Sequence, residues 1–200
     1  MSNNQHFIEN LLEGVKSNQI SIDEAKAQLS HYDELGFAKI DLHRAKRQGF
    51  PEVIFGQGKT KEQIDTIITS LSRHHHVILV TRINEEKANY VLEKHPHLEY
   101  HPEARIVCTP IASVQKSKHY ISVLCAGTSD LPVSEEAAIT AELMGINVKR
   151  YYDVGVSGIH RLFEHIHEIR QGKVSIVIAG MEGALASVVG GLVDLSLIHI

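Results

Sequence analysis

The chain has 200 residues, 43% of them hydrophobic and 22% charged, which predicts one folded domain with at most a small companion and excludes a disordered or collagen-like protein. Twenty basic residues face 24 acidic ones, and the net charge of −4 argues against a dedicated nucleic-acid or membrane-surface protein. The longest stretches without Asp, Glu, Lys or Arg have 11 residues, well short of the roughly 20 of a membrane span. Charges early in the chain and only two cysteines predict no signal peptide, no disulfide framework and a cytoplasmic location.

The first 35 residues predict two amphipathic helices. The apolar positions of the first recur at helical spacing: Phe7, Ile8, Leu11, Leu12 and Val15. Ser21 and Glu24 have the spacing of a capping box at the start of the second helix, whose apolar side carries Ala25 and Leu29. We expect residues 1–36 to form a helical appendage that cannot bury a core alone.

From Phe37 onward, short apolar strands alternate with helices, which predicts an α/β fold with a parallel sheet flanked by helices. The predicted strands are Val53–Phe55, Val77–Val80, Ile106–Cys108, Tyr120–Cys125, Val148–Tyr151, Val174–Ala179 and Leu195–Ile200. The predicted helices lie near Lys61–Leu71, Glu85–Glu93, Val133–Leu143, Gly158–Arg170 and Gly183–Gly190. Glu93–His101 is polar, and we predict no strand in it. Thr109–Lys118 is the expected seam between two α/β domains, residues 37–118 and 119–200.

Ligands of open α/β sheets bind beyond the carboxyl ends of strands, where loops lead into helix N-termini. The loop Gly127-Thr128-Ser129-Asp130 follows such a strand and combines a flexible glycine with hydroxyl and amide donors for a phosphate. Asp130 would bind a ribose hydroxyl or handle a proton. The residue types leave a second interpretation open, in which Asp130 or Ser134 caps the next helix.

A second loop of this kind, Gly180-Met181-Glu182-Gly183, places an acid between two glycines at a strand-to-helix junction. The helix dipole favours an ionised Glu182, which could act as a general base. Stabilisation of the helix start by Glu182 is the alternative, and spacing alone favours it.

Two cations in the first half are candidates for binding an anion. Lys59 lies in Gly56–Thr60, which lacks the spacing of a phosphate-binding loop for nucleoside triphosphates. Arg44, in Asp41–Arg44, suits a phosphate or carboxylate, or belongs to an exposed charged segment.

Asp153 is the corresponding candidate in the second half, together with His160 and Arg161 on the following helix. These residues would line the mouth of the same site, although the charge pattern slightly favours a surface ion pair. No Cys/His cluster has zinc spacing, and His74–His76 diverge in extended chain, so we expect no metal site. Cys108 and Cys125 lie inside apolar strands and are expected to be buried and inert.

Five segments together resemble the LarB family, the pyridinium-3,5-biscarboxylic acid mononucleotide synthases of nickel-pincer cofactor biosynthesis. They are Asp41–Arg44, Arg47–Thr60, Gly127–Val133, Tyr152–Arg161 and Ala179–Leu185. The resemblance spans essentially the whole chain. The second half also resembles PurE, the aminoimidazole ribonucleotide carboxylase, and this implies a flavodoxin-like domain that assembles as a homo-oligomer.

The resemblance implies an enzyme that carboxylates C5 of the pyridinium ring of nicotinic acid adenine dinucleotide with CO₂ or bicarbonate. The enzyme would also hydrolyse the phosphoanhydride and release AMP. Glu182 matches the family's acid/base glutamate, and a family cysteine adds to the ring as a nucleophile. The residues expected to act on or hold the substrate are Asp130, Gly127, Thr128, Ser129, Gly180, Met181, Gly183, Arg44, Lys59, Asp153, His160 and Arg161. No cofactor is expected to stay bound, and Mg²⁺ is an open alternative.

The chain departs from the family pattern near its C-terminus. Neither Cys108 nor Cys125 matches the family's cysteine, Ala186 replaces a usual proline, and Ser196–Ile200 leaves the pattern. We therefore expect a longer natural chain, and expect these 200 residues to lack the catalytic cysteine. Two alternatives remain open: an aminoimidazole ribonucleotide carboxylase or mutase of purine synthesis, and a non-catalytic nucleotide-binding module.

Overall fold

A computed structural model describes residues 2–22, 25, 32–75 and 77–200. The chain divides into two compact units, residues 1–52 and 53–200. The domain boundaries expected after residues 36 and 118 stay predictions. In the part of the chain that the structure describes, no helix is both long enough and apolar enough to cross a membrane.

In the described residues of the first unit, the structure has α1 (Ser2–Lys16), β1 (Tyr32–Glu34), β2 (Lys39–Asp41) and α2 (Arg44–Gln48). The predicted first helix is confirmed, and Leu11 on its apolar side is buried. Glu24 and Leu29 of the predicted second helix lie outside the described residues. β1 and β2 pair antiparallel.

The second unit begins with a four-stranded sheet and two helices. Its elements are β3 (Ile54–Phe55), α3 (Lys61–Ser72), β4 (Leu79–Thr81), α4 (Glu85–Lys94), β5 (Glu99–His101) and β6 (Ile106–Cys108). The strand order is β3-β4-β6-β5, with β3 and β4 parallel and the other pairs antiparallel. The prediction of parallel strands throughout is therefore wrong here. β5 and β6 are joined by a four-residue loop, which permits an antiparallel hairpin but not a parallel crossover.

The second sheet is wholly parallel, as expected. Its elements are β7 (Tyr120–Cys125), α5 (Leu131–Leu143), β8 (Asn147–Tyr151), α6 (Ile159–Ile169), β9 (Val174–Ile178), α7 (Ala184–Leu192) and β10 (Ser196–His199). The strand order is β10-β9-β7-β8, which in chain order is the two-one-three-four arrangement of flavodoxin-like folds. The expected flavodoxin-like architecture is confirmed.

Alternate residues of β7 support two separate cores. Leu124 packs with Leu162 of α6 and Leu185 of α7 on one face of the sheet. Val123 packs with Ala138 of α5 on the other face. α5 also contacts the smaller sheet through a cluster of buried apolar residues: Leu79, Ile106, Cys108, Ile139 and Leu143. This helix is thus anchored on both sides, which fixes the loop that precedes it.

A salt bridge connects α5 to β8 at the edge of the sheet. Arg150 Nη1 and Nη2 donate to Glu142 Oε1 and Oε2 at 3.0 and 2.7 Å, and Lys116 Nζ lies 3.4 Å from Oε1. The Glu142 side chain is only 10% exposed. Burial raises its pKa, but the hydrogen bonds and charges of Arg150 and Lys116 outweigh burial and leave the pKa below its ordinary value.

Replacing Glu142 by Gln removes the charge that these two cations face, and we expect the free energy of unfolding at pH 7 to fall by about 2 kcal/mol. The folded-state pKa is lowered, so the wild-type advantage is complete above the ordinary value of 4.5 and disappears as pH falls through the folded pKa. Urea unfolding at pH 7 and at progressively lower pH measures this difference. Exposed Glu164→Gln is the control, and a difference that does not shrink in acid would contradict the assignment.

Candidate active site

A cavity of about 460 Å³ opens where β7, β8 and β9 end. Its walls are the loops that follow these three strands, and the order of the strands reverses between β7 and β9. Ligands of open α/β sheets bind at this switch point. Eight of the predicted site residues line the cavity: Gly127, Ser129, Asp130, Asp153, Arg161, Gly180, Met181 and Glu182.

The first wall is the loop after β7, where residues Thr128–Asp130 form a 3-10 turn before α5. Asp130 Oδ2 accepts a hydrogen bond from Gly127 N at 3.0 Å, so the carboxylate closes its own loop. Ser134 is buried and donates to Asp130 O at 2.9 Å. Asp130 is the N-cap residue of α5, but neither its side chain nor that of Ser134 makes a capping hydrogen bond to the helix amides. The Asp130 carboxylate instead caps the preceding 3-10 turn.

The second wall is the loop after β8, which is hydrogen-bonded to the end of β7. Val154 N donates to Cys125 O at 3.0 Å, and Gly155 N donates to Ala126 O at 2.9 Å. A Cβ on Gly155 would lie 2.6 Å from Ala126 O, so only glycine permits this approach. The two backbone contacts set the distance between the first two walls.

Asp153 and Arg161 form the ion pair that the charge pattern suggested, and both line the cavity. Arg161 Nη1 donates to Asp153 Oδ2. Both side chains are partly exposed, Asp153 by 55% and Arg161 by 37%. Asp153 and Arg161 therefore form an ion pair and also line the cavity, so the two interpretations do not exclude each other.

The third wall is the loop after β9, which carries Glu182. Gly183 has a φ of +67° and starts α7, and Gly183 N donates to Gly180 O at 3.1 Å. A Cβ on Gly180 would lie 3.6 Å from Asp130 Oδ1, so this loop passes close to the first wall. Among the described residues, the Glu182 carboxylate has no hydrogen-bond or ion-pair partner. It is exposed and available to a ligand.

Two of the five described non-glycine residues with a positive φ line this cavity. Asp153 and Met181 are non-glycine residues in the left-handed region, with φ of +55° and +54°. Such conformations cost roughly 1–3 kcal/mol each and persist where neighbouring structure enforces them. Met181 is also fully exposed at the tip of its loop. Both residues lie on the lining rather than in the core.

The cavity combines positive backbone ends with acidic side chains. α5, α6 and α7 all begin at its walls, and no described side chain caps any of the three. Helix N-termini attract phosphates through free amides and the helix dipole. The charged side chains of the lining are three acids, Asp130, Asp153 and Glu182, and one cation, Arg161. This arrangement suits a ligand that carries both a phosphate and a positive charge.

Five predicted site residues lie elsewhere: Thr128, His160, Gly183, Lys59 and Arg44. The first three flank the cavity in sequence but are not on its lining. Lys59 Nζ donates to Phe55 O at 2.9 Å, and Thr60 and Gln63 cap the start of α3 reciprocally, so this loop is already satisfied internally. Arg44 belongs to the first unit, where its guanidinium carbon is 5.1 Å from the centre of the Phe50 ring.

Both cysteines are buried, as predicted, and neither lines the cavity. Burial raises the pKa of the Cys108 thiol to about 12. Cys125 lies beneath the first wall, where its Sγ donates to Gly127 O at 3.5 Å. His76, at the end of the triple histidine, lies outside the described residues. Within the described part of the chain, no group of three His, Cys, Asp or Glu side chains could hold a metal ion.

Gly155 and Ser157 also line the cavity, from the second wall, and neither is among the predicted site residues. A signal was present, because a glycine and a hydroxyl residue follow β8 much as they follow β7. The close approach of Gly155 to Ala126 depends on the register between β7 and β8. That register cannot be predicted from a local sequence pattern.

These features define an α/β protein with a small-molecule site at the switch point of a flavodoxin-like sheet. The family model described as LarB/PurE-like N-terminal domain matches residues 32–111. An uncharacterized protein of Methanocaldococcus jannaschii is 36% identical over 206 aligned residues, which cover 96% of this chain and 80% of that protein. The chain belongs to the LarB family, a carboxylase-type group with PurE-like features.

Replacing Gly155 by Ala forces a methyl group against a backbone carbonyl, and we expect the free energy of unfolding to fall by about 1–3 kcal/mol. Gly127→Ala is the matched control, because a Cβ there meets nothing within 4 Å and its φ of −146° suits any residue. Urea unfolding of both variants measures the contrast. Equal stability of the two would show that the approach of the β7 and β8 loops is not tight.

Proposed function

We propose that this protein carboxylates C5 of the pyridinium ring of nicotinic acid adenine dinucleotide and hydrolyses the phosphoanhydride. The products are pyridinium-3,5-biscarboxylic acid mononucleotide and AMP, which places the protein in nickel-pincer cofactor biosynthesis. The observation that carries the proposal is the unpartnered Glu182 carboxylate in an acidic cavity surrounded by three helix N-termini. Family membership supports carboxylase-type chemistry in general. The dinucleotide substrate is what the resemblance to the LarB family implies, and the charges of the cavity are compatible with it.

The charge of the cavity favours a pyridinium substrate. A pyridinium ring carries a fixed positive charge, whereas the ring of aminoimidazole ribonucleotide is neutral. The lining has three acids and one cation, and the cation is already paired with Asp153. Coulombic attraction between Glu182 and a ring cation would stabilise the dinucleotide complex, and the helix N-termini would hold its phosphates.

The chemistry needs a base placed beside C5. A pyridinium C5 is electron-poor, so a nucleophile first adds at a neighbouring ring carbon and converts the ring into an enamine. The enamine C5 then attacks CO₂ and forms the new carbon–carbon bond. Glu182 removes the C5 proton, and the electron pair of that C–H bond expels the nucleophile and restores the pyridinium ring. In this scheme Asp130 keeps the substrate loop closed, and Ser129 offers a hydroxyl to the substrate.

Neither Cys108 nor Cys125 supplies that nucleophile in our proposal. A nucleophilic cysteine acts as the thiolate, and burial keeps the Cys108 thiol protonated at neutral pH. Cys125 is completely buried below the first wall. The thiolate that the family resemblance implies therefore comes from neither of these two residues.

A second candidate is carboxylation of aminoimidazole ribonucleotide. The closed loop Gly127–Asp130, with its hydroxyl groups and free turn amides, favours it, because this loop suits any phosphoribosyl group. Supplying aminoimidazole ribonucleotide in place of the dinucleotide tests it directly. The two candidates share the cavity and differ in the charge of the ring.

The proposal predicts that protein expressed from its native locus converts the dinucleotide and isotope-labelled bicarbonate into a labelled dicarboxylated mononucleotide and AMP. Glu182→Gln should lower the rate by about a hundredfold or more, because it removes the base. Mass spectrometry of the products measures both. Glu164→Gln, an exposed change on α6 outside the cavity, is the matched control. Full activity of Glu182→Gln would refute the role of Glu182.

Cysteine variants test the nucleophile separately. We expect Cys108→Ala and Cys125→Ala to keep product formation within about threefold of wild type at a temperature where both remain folded, since rate effects of lost nucleophiles are far larger. The same mass-spectrometric assay measures product formation, and circular dichroism verifies folding. Loss of product with an intact fold in either variant would identify that cysteine as the nucleophile and contradict the proposal.

A further inference from the structure

We propose that Asp153 is an internal substitute for a phosphate of the substrate: it holds Arg161 until a phosphate takes over the guanidinium. The inference rests on the proposed function for the identity of the ligand, a dinucleotide with two phosphates. It assigns Asp153 a positioning role that lies outside the chemical step.

The first observation is that the pair is well formed but open to exchange. Arg161 Nη1 donates to Asp153 Oδ2, and both residues line the cavity. Asp153 is 55% exposed and Arg161 37% exposed. Exposed ion pairs contribute little to stability, whereas a guanidinium binds phosphate through two parallel hydrogen bonds. A phosphate entering the cavity can therefore displace the Asp153 carboxylate.

The second observation is the position of Arg161 in the first turn of α6. A cation near a helix N-terminus is disfavoured by the helix dipole, so this site needs an anion close by. The Asp153 carboxylate meets that need within the protein. A bound phosphate would meet it equally, and would also reach the uncapped amides at the start of α6.

The third observation is the backbone conformation that places the Asp153–Arg161 pair beside the start of α6. Asp153 adopts the left-handed conformation, with φ of +55°. The Arg161 side chain folds back over Gly158, where a Cβ would lie 2.7 Å from Arg161 Nε. Glycine at 158 therefore leaves room for the guanidinium beside the α6 N-terminus.

The proposal predicts opposite effects for the two members of the pair. Asp153→Asn removes the competing charge, so a phosphate ligand should bind about threefold more tightly. Asn also adopts left-handed backbone readily and keeps the shape of the side chain, so this variant should fold. Arg161→Gln should weaken binding by about tenfold or more. In the double variant, Asp153→Asn should no longer tighten binding, because the guanidinium for which it competes is gone.

Isothermal titration calorimetry of the full chain with AMP and, separately, with nicotinic acid mononucleotide tests these effects. Each probe carries one of the two phosphates of the dinucleotide, so the probe that shows the pattern identifies the phosphate that Arg161 binds. Weaker or unchanged binding of both probes to Asp153→Asn would overturn the proposal. So would Arg161→Gln binding both as wild type does, or a wild-type protein that binds neither.

The titration separates this inference from the proposed function, because it needs no turnover. Tighter binding to Asp153→Asn without any carboxylation would support the exchange at Arg161 and refute the proposed reaction. Carboxylation by the wild type together with weaker binding to Asp153→Asn would do the reverse. It would then make Asp153 a direct part of the substrate site.

Discussion

Two backbone hydrogen bonds at the ends of β7 and β8 determine the shape of the candidate active site. Val154 N and Gly155 N donate to the last carbonyls of the β7 segment, and the absence of a side chain at Gly155 allows the loops to touch. This contact continues the parallel pairing of the two strands beyond their last ladder residues. It orients the start of α6 and with it Arg161. The third wall then meets the first at Gly180, close to Asp130.

Much of the fold could be predicted from local pattern, because the second sheet has buried apolar strands separated by segments long enough to form helices. The parallel sheet and its four strands were predicted nearly to the residue. The failures occurred where burial is partial. β5 is a polar edge strand, with Glu99 exposed and Tyr100 and His101 half-buried, so no apolar run marks it. Strand direction in the smaller sheet follows from a short loop rather than from composition, and apolar content could not reveal it.

The location of the site could be predicted from the rule that ligands bind at strand ends. Which residues line the site could not be predicted completely. Asp130 and Glu182 follow strands, and the structure places both on one cavity. Lys59 also follows a strand, yet its ammonium donates to the carbonyl of Phe55 at the end of β3. Arg44 lies in the first unit. Residue type and sequence position do not show whether a side chain already has a hydrogen-bond or ion-pair partner within the protein. That depends on the tertiary structure.

The three acids of the cavity have the same chemistry, and their neighbours give them different roles. Asp130 accepts a hydrogen bond from an amide of its own loop and so keeps that loop closed. Asp153 is engaged by Arg161, and that engagement is weak enough to be exchanged. Glu182 has no partner among the described residues and sits on a loop whose glycines allow it to reach into the cavity. A ligand with both a phosphate and a cationic ring would satisfy the second and third acids differently: the phosphate would replace Asp153 at Arg161, and the ring would provide Glu182 with the partner it lacks. The pattern of engaged and free carboxylates thus argues for one ligand that spans the cavity from α6 to α7, rather than for two independent binding sites.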